Sequence, residues 1–214
     1  MKKGWEEKAL GDVCTLQRGF DLPKHSRTDG GFPLVSSSGI SDTHNEWKVK
    51  APGVVTGRSG SIGNVFYIED NFWPLNTVLY IKDFHGNDPR FIYYLLTQFD
   101  LAKYSGGAGV PTLNRNNVHD IIVSIPKSIP EQQHIVAVLD KAFSAIATAK
   151  ENAEKNLQNA CELFESYLQS VFDNPSGGWK EKKLDEACDL ITCGVAARPS
   201  YVDRGIPFLS AKNV

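Results

Sequence analysis

From Glu131 to Asn174 the chain carries neither glycine nor proline. Pro130 stands just ahead of this run, and Pro175-Ser176-Gly177-Gly178 closes it. Proline at the start and glycine past the end are ordinary helix punctuation, and Glu131 puts an acid where the helix dipole favours one. The run predicts one helix within residues 128–174, about 63 Å long at 1.5 Å per residue. Apolar and small side chains recur along it in steps of four and three: Ile135, Leu139, Ala142, Ile146, Ala149, Ala153, Asn156, Ala160, Leu163 and Tyr167. That is the heptad seam of a helix packed on another helix. The alanines permit close approach, and Asn156 is a polar register marker. Beyond Asn156 the apolar face widens through Leu157, Cys161, Phe164, Leu168 and Val171. A helix this long overreaches a small domain, so the stripe calls for a partner helix. The alternative is a helix that breaks midway or folds back on its own domain.

A second constraint is an internal repeat. Residues 4–16 read GWEEKALGDVCTL, and residues 178–190 read GWKEKKLDEACDL. The same register returns when Gly31-Phe32-Pro33-Leu34-Val35-Ser36 meets Gly205-Ile206-Pro207-Phe208-Leu209-Ser210. A period this long is a duplicated module rather than a solenoid repeat. The chain therefore reads as one complete module, residues 1–127, then the helix, residues 128–174, then the opening of a second module, residues 175–214.

Within residues 1–127, Ala51-Pro52-Gly53 marks a turn before the apolar run from Val54. Asn64 to Ile68 and Thr77 to Ile81 read as strands, rich in Val, Tyr, Phe and Ile. Asp88-Pro89 reads as a cap and first helical residue, opening a helix through about Tyr104. Ser105 to Asn117 reads as a loop, and Ile121 to Ile125 as a last strand before Pro126. The mixture predicts an α+β fold with a mixed or antiparallel sheet, followed by a coiled-coil-type helix.

With 41% hydrophobic and 22% charged residues, the chain is composed like a folded protein. Its net charge is −2, divided as +1 over residues 1–127, −4 over 128–174 and +1 over 175–214. A polybasic nucleic-acid binder is excluded, and any nucleic-acid-facing patch belongs on the first module. Composition alone does not point to DNA; if the chain does read DNA, the candidates are Arg18, Lys24 and Arg27 in one stretch, Lys48, Lys50 and Arg58 in a second, and Arg115. Ser36, Ser37, Ser38, Asn114 and Asn116 are the polar candidates on loops. No apolar run reaches the roughly 18 residues of a membrane span, and the charged N-terminus lacks the apolar stretch of a signal peptide. Cys14, Cys161, Cys188 and Cys193 make no CxxC pair, so free thiols in a cytoplasmic protein are expected.

No catalytic constellation emerges. Gly57-Arg58-Ser59-Gly60 falls one residue short of a nucleophile elbow. Gly63 is followed by Asn64-Val65 rather than the Lys of a P-loop. Asn87-Asp88-Pro89-Arg90 lacks the second proline and the aromatic of the amine-holding tetrapeptide in amino-methyltransferases, and is better read as a helix cap. His25, His44, His85, His119 and His134 are scattered, each expected at the surface or at a cap. Neither a metal nor a cofactor is expected on this chain.

The strings Gly57-Arg58-Ser59-Gly60-Ser61-Ile62-Gly63-Asn64-Val65 and Phe72-Trp73-Pro74-Leu75-Asn76-Thr77 resemble a target-recognition domain of the specificity subunits of type I restriction–modification enzymes. So does the helix entry, Ile129-Pro130-Glu131-Gln132-Gln133-His134-Ile135-Val136-Ala137-Val138-Leu139-Asp140. The resemblance runs through the whole chain in the family's order: recognition domain, long helix, start of a second recognition domain. It implies a non-catalytic reader of double-stranded DNA, each recognition domain taking one half of a split target. It implies that the long helix sets half-site spacing and docks modification (methyltransferase) subunits, which bind S-adenosylmethionine, while restriction subunits cut. A complete subunit would add a second recognition domain and a second long helix. The helix would then pair with a second specificity half, or with a second copy of this chain reading a gapped palindrome. A dimerisation rod with no DNA role is the reading from a different class.

Overall fold

The computed structural model describes residues 4–107, 111–174 and 177–188. The chain forms two units, Met1–Asn152 and Ala153–Val214, with the boundary inside the long helix. The first unit begins with β1 (Trp5–Ala9), α1 (Leu10–Val13) and β2 (Thr15–Arg18). Next come β3 (Phe32–Ser36), β4 (Gly39–His44), β5 (Gly53–Gly57), β6 (Val65–Ile68), β7 (Trp73–Pro74) and β8 (Val78–Asp83). Then follow α2 (Pro89–Thr97), β9 (Ser105–Gly106), β10 (Thr112–Leu113), α3 (Arg115–His119) and β11 (Ile122–Pro126). The helix α4 runs from Ile129 to Asp173.

The central sheet has the order β2-β8-β5-β6, antiparallel throughout. A second sheet, β4-β3-β7, joins β3 to β7 in parallel, and β1 closes the domain against β11. Both faces of β5 and of Val78–Ile81 in β8 are buried, so apolar residues fill consecutive positions there instead of alternating with polar ones. Successive side chains point to opposite faces. Val54, Leu79 and Ile81 pack with Leu10, Phe91, Ile92 and Leu96. Their neighbours Val55, Val78 and Tyr80 pack with Val35 and Phe72.

The cap at α2 forms as the sequence predicts: the Asp88 carboxylate accepts from the Phe91 amide at 2.9 Å. The helix stops at Thr97, short of the expected Tyr104. Its last turn tightens to three-residue bonds, Gln98 N–H to Leu95 O and Phe99 N–H to Leu96 O. Asp100 then leaves helical geometry at ψ 77°, and a separate 3₁₀ turn, Leu101–Tyr104, buries Leu101. The expected loop from Ser105 to Asn117 also holds more structure. β9 pairs β10, and Asn114 caps α3 by accepting from the Asn116 amide at 3.0 Å.

In the second unit, α5 (Leu184–Ala187) recurs at the repeat register of α1. Both short helices follow an extended residue. Both end when a cysteine amide bonds back to the first residue: Cys14 to Leu10 at 2.8 Å, Cys188 to Leu184 at 2.9 Å. Leu10 is fully buried, whereas Leu184 is 72% exposed. The later repeat strings and Cys193 lie outside the described residues.

Early in α4, Ile135 and Val136 pack on the domain's own core, so the first seam residue serves the domain rather than a partner helix. From Lys141 to Asn174 every residue is exposed, including Ile146, Leu163 and Tyr167 of the seam. Among the described residues no helix is long and apolar enough to cross a membrane.

Candidate nucleic-acid interface

The sheet order gathers three arginines that are far apart in sequence. Arg18 ends β2 opposite Leu79 of β8. Arg58 follows β5 on the other side of β8, its amide bonded to the Thr77 carbonyl at 2.8 Å. The Arg58 carbonyl then accepts from the Leu113 amide at 2.8 Å, and Ser59 bridges Thr112, which brings β10 and Arg115 alongside. Together Arg18, Arg58 and Arg115 line an open cleft of about 420 Å³ with Thr112, Asn114 and Asn117.

The glycines near Arg58 are there for geometry. A Cβ on Gly57 would strike the Ser61 carbonyl, and Gly63 sits at φ +86°. Those conformations let the loop turn back so that the Gly57 amide reaches the Asn64 carbonyl at 2.9 Å. Arg58 is half-buried and donates to the Asn76 carbonyl at 3.2 Å. Arg18 donates to both Asp21 oxygens, at 3.0 and 3.2 Å. Arg115 is exposed and pairs with no carboxylate among the described residues.

The remaining candidates lie apart from this cleft. Arg27 lines a neighbouring hollow of about 340 Å³ with Asp21, Ser36 and Asn76, and pairs with Asp42 at 3.5 Å. Lys24 is exposed on a 3₁₀ turn, Lys24–Ser26. Lys48, grouped with Arg58 along the sequence, does not line the cleft: its Nζ lies 4.6 Å over the Trp73 ring and 3.9 Å from Glu46. Lys50 is exposed. The Ser36 hydroxyl donates to the Gly39 carbonyl at 3.1 Å, and the Ser37 amide donates to Thr77 Oγ1 at 3.3 Å. Ser38 and Asn116 are exposed. Sequence reasoning missed Asp21, Asn76 and Asn117. Asn76 had a signal, since it sits in the quoted Trp73-to-Thr77 string; Asp21 had only its place three residues after Arg18.

Two histidines depart from the expected surface or capping role. His44 is buried, its Nδ1 bonded to the Thr28 backbone and its ring edge-on to Trp73 at 5.2 Å. His119 Nε2 accepts from the Leu16 amide at 3.0 Å. Burial, and then the Arg115 charge, push the His119 pKa below its ordinary 6.5. Among the described residues no group of His, Cys, Asp or Glu is arranged to hold a metal.

Besides the packing of Ile135 and Val136, two polar side chains of α4 fasten it to the domain. Gln132 is buried at 1% exposure and donates to Asn87 Oδ1 at 2.8 Å and to the Pro126 carbonyl at 3.2 Å. About two turns further along α4, Asp140 accepts from Arg90 at 3.1 Å and from the Tyr94 hydroxyl. The Arg90 guanidinium lies 4.7 Å over the Tyr67 ring. Partial burial works against the Arg90 charge, but the bonded Asp140 outweighs it and raises the pKa above its ordinary value.

These features define a class by architecture: an α+β domain with a polar, arginine-lined cleft, fastened to a long helix. Residues 2–158 match the type I restriction–modification DNA specificity domain, and the chain belongs to that family. A protein of Mycoplasma pneumoniae described as a type I specificity subunit, S.MpnORF89P, is 20% identical over 184 residues, covering 80% of this chain and 54% of that protein. A chain solved in work on the assembly and conformational transition of a type I R-M system superposes with TM-score 0.66 at 16% identity, covering 80% of this chain and 46% of that one. The S subunit from M. genitalium superposes at 0.56 with 18% identity, over 80% of this chain and 46% of that one. The HsdS subunit from Thermoanaerobacter tengcongensis superposes at 0.56 with 16% identity, over 69% of this chain and 39% of that one. The chain spans about half the length of the relatives it matches.

Proposed function

We propose that this chain is a non-catalytic DNA-recognition subunit of a type I restriction–modification enzyme, working in the cytoplasm. Its first domain reads one half of a bipartite target. The observation that carries this reading is the cleft where Arg18, Arg58 and Arg115 meet Asn114 and Asn117. Arginine bonds guanine bidentately and asparagine bonds adenine, so the set is chemically suited to base edges in a major groove. The small net charge fits a reader whose partner subunits share the phosphate contacts that dominate affinity. The helix α4 sets the half-site spacing and docks methyltransferase subunits, which carry S-adenosylmethionine. Its exposed stripe, with Leu157, Leu163, Phe164 and Tyr167 each more than 60% exposed, favours pairing with an equivalent helix, either of a second specificity half or of a second copy.

The test is to co-express this chain with methyltransferase subunits encoded beside it and map methylated adenines by sequencing. A gapped motif supports DNA reading. A symmetric motif adds that two copies pair, and an asymmetric one that the second half comes from elsewhere. A soluble complex that methylates no defined motif overturns the reading.

A further inference from the structure

Two of the three cleft arginines are joined by a polar bridge. Arg18 bonds both carboxylate oxygens of Asp21, Asp21 Oδ1 also accepts from the Asn76 side-chain amide, and the Asn76 carbonyl accepts from Arg58. The loop carrying Asp21 is built to hold this position. The Gly19 amide bonds the Val78 carbonyl at 3.0 Å, the Phe20 amide bonds the Pro74 carbonyl at 2.8 Å, and a Cβ on Gly19 would strike the Leu75 carbonyl. Phe20 anchors the same loop by stacking on Tyr80 at 5.8 Å.

A stabilising role does not account for this carboxylate. Arg18 and Asp21 are 51% and 64% exposed, and pairs that open to water contribute little to folding. A carboxylate beside a DNA-facing cleft also repels phosphate, so it works against affinity as such. What it does do is restrict one guanidinium to one orientation. We propose that Asp21 is a positioning residue for sequence discrimination. It holds Arg18 aimed into the cleft for a base edge, with Asn76 fixing the carboxylate, and keeps Arg18 from neutralising backbone phosphate. Specificity gained by an unfavourable element against wrong partners is a general device. This inference rests on the cleft reading DNA.

The experiment uses the full chain in complex with its methyltransferase subunits, binding duplexes that carry the mapped motif and duplexes that differ at one base pair. Arg18→Ala lowers affinity for the motif about tenfold and leaves mismatched DNA nearly unaffected, as expected for loss of one base contact. Asp21→Asn keeps the shape but removes the charge and one of the two acceptor oxygens, so Arg18 is held less firmly. Binding to mismatched DNA tightens severalfold, the ratio of motif to mismatch affinity falls about tenfold, and the salt dependence steepens by about one phosphate contact. In an Arg18→Ala background the same Asp21→Asn change no longer alters the ratio, because the residue it positions is gone. A merely structural Asp21 would instead lower the melting temperature and weaken both duplexes equally, which overturns the proposal. Unchanged discrimination in Asp21→Asn, with discrimination lost in Arg18→Ala, also overturns it and leaves the cleft reading standing. Unchanged discrimination when Arg18, Arg58 and Arg115 are each replaced by alanine removes the cleft reading itself.

Discussion

Gln132, in the first turn of α4, donates from Nε2 to Asn87 Oδ1 at 2.8 Å while its Oε1 accepts from the Asp88 amide at 2.9 Å. A single amide thus ties the long helix to the loop that caps α2. Asp88 is itself the cap of α2, so one backbone position serves two helices. The start of α4 is held to the domain here by a buried group whose polar atoms have no water to fall back on.

Gln132→Met keeps the length of the side chain and removes the bonds. The Asp88 amide and Pro126 carbonyl then lose a buried partner, at a cost of about 2–3 kcal/mol for the set. Urea unfolding of the full chain reads this as a lower midpoint at unchanged slope. A midpoint equal to wild type would show that the junction is held elsewhere, by Arg90 and Asp140.

What the sequence disclosed and what it concealed divide along contact range. The long helix was legible because a run without glycine or proline is a local property, and the Asp88 cap because its bond closes within three residues. Gln132 was concealed: in a helix pattern it reads as one more solvated polar residue. Its burial depends on Asn87 and Asp88, more than forty residues earlier in the chain, arriving beside it. The arginine cleft was half legible. Arg18, Arg58 and Arg115 were each candidates by type, but only the order β2-β8-β5 and the Ser59–Thr112 bridge bring them together. The same nonlocal pairing sends Lys48 to Trp73, although it lies nearer in sequence to Arg58 than either other cleft arginine does.

His119 gives the domain a pH-dependent fastening. Its Nε2 accepts the Leu16 amide only when neutral, and its folded pKa lies below the ordinary 6.5. The contribution is present above the unfolded value and is lost as pH falls through the folded one. Between pH 8 and pH 5 wild type loses more thermal stability than His119→Gln, whose amide oxygen takes the same bond and does not titrate. Equal losses in the two proteins would mean that other groups carry the whole acid dependence.

Cys14 behaves as a core residue and not as a reagent. Full burial pushes its thiol pKa from 9.0 up to about 12. The thiolate is the nucleophile, so iodoacetamide at pH 8.5 leaves Cys14 unlabelled in the native protein and labels the exposed Cys188. Its stabilising contribution is complete below the unfolded pKa and disappears as pH rises from about 9 toward 12. Peptide mass spectrometry before and after adding denaturant checks the protection. Native labelling at Cys14 on the timescale of Cys188 would overturn it.

The exposed stretch of α4 predicts how target spacing responds to length. Inserting four residues between Ala149 and Ala153 adds about 6 Å of helix, close to one turn, so the seam on either side keeps nearly the same facing. At 3.4 Å per base pair that advance corresponds to about two base pairs. The insertion lies beyond Gln132, Ile135 and Asp140, so the cleft and the junction are left as they are. The methylated motif should then keep its half-site bases while its gap grows by one or two base pairs, read by sequencing methylated genomic DNA. An unchanged gap would mean that α4 does not measure spacing. Altered half-site bases would mean that the helix reaches into base reading, against a fold in which the cleft arginines come from β2, the loop after β5 and α3.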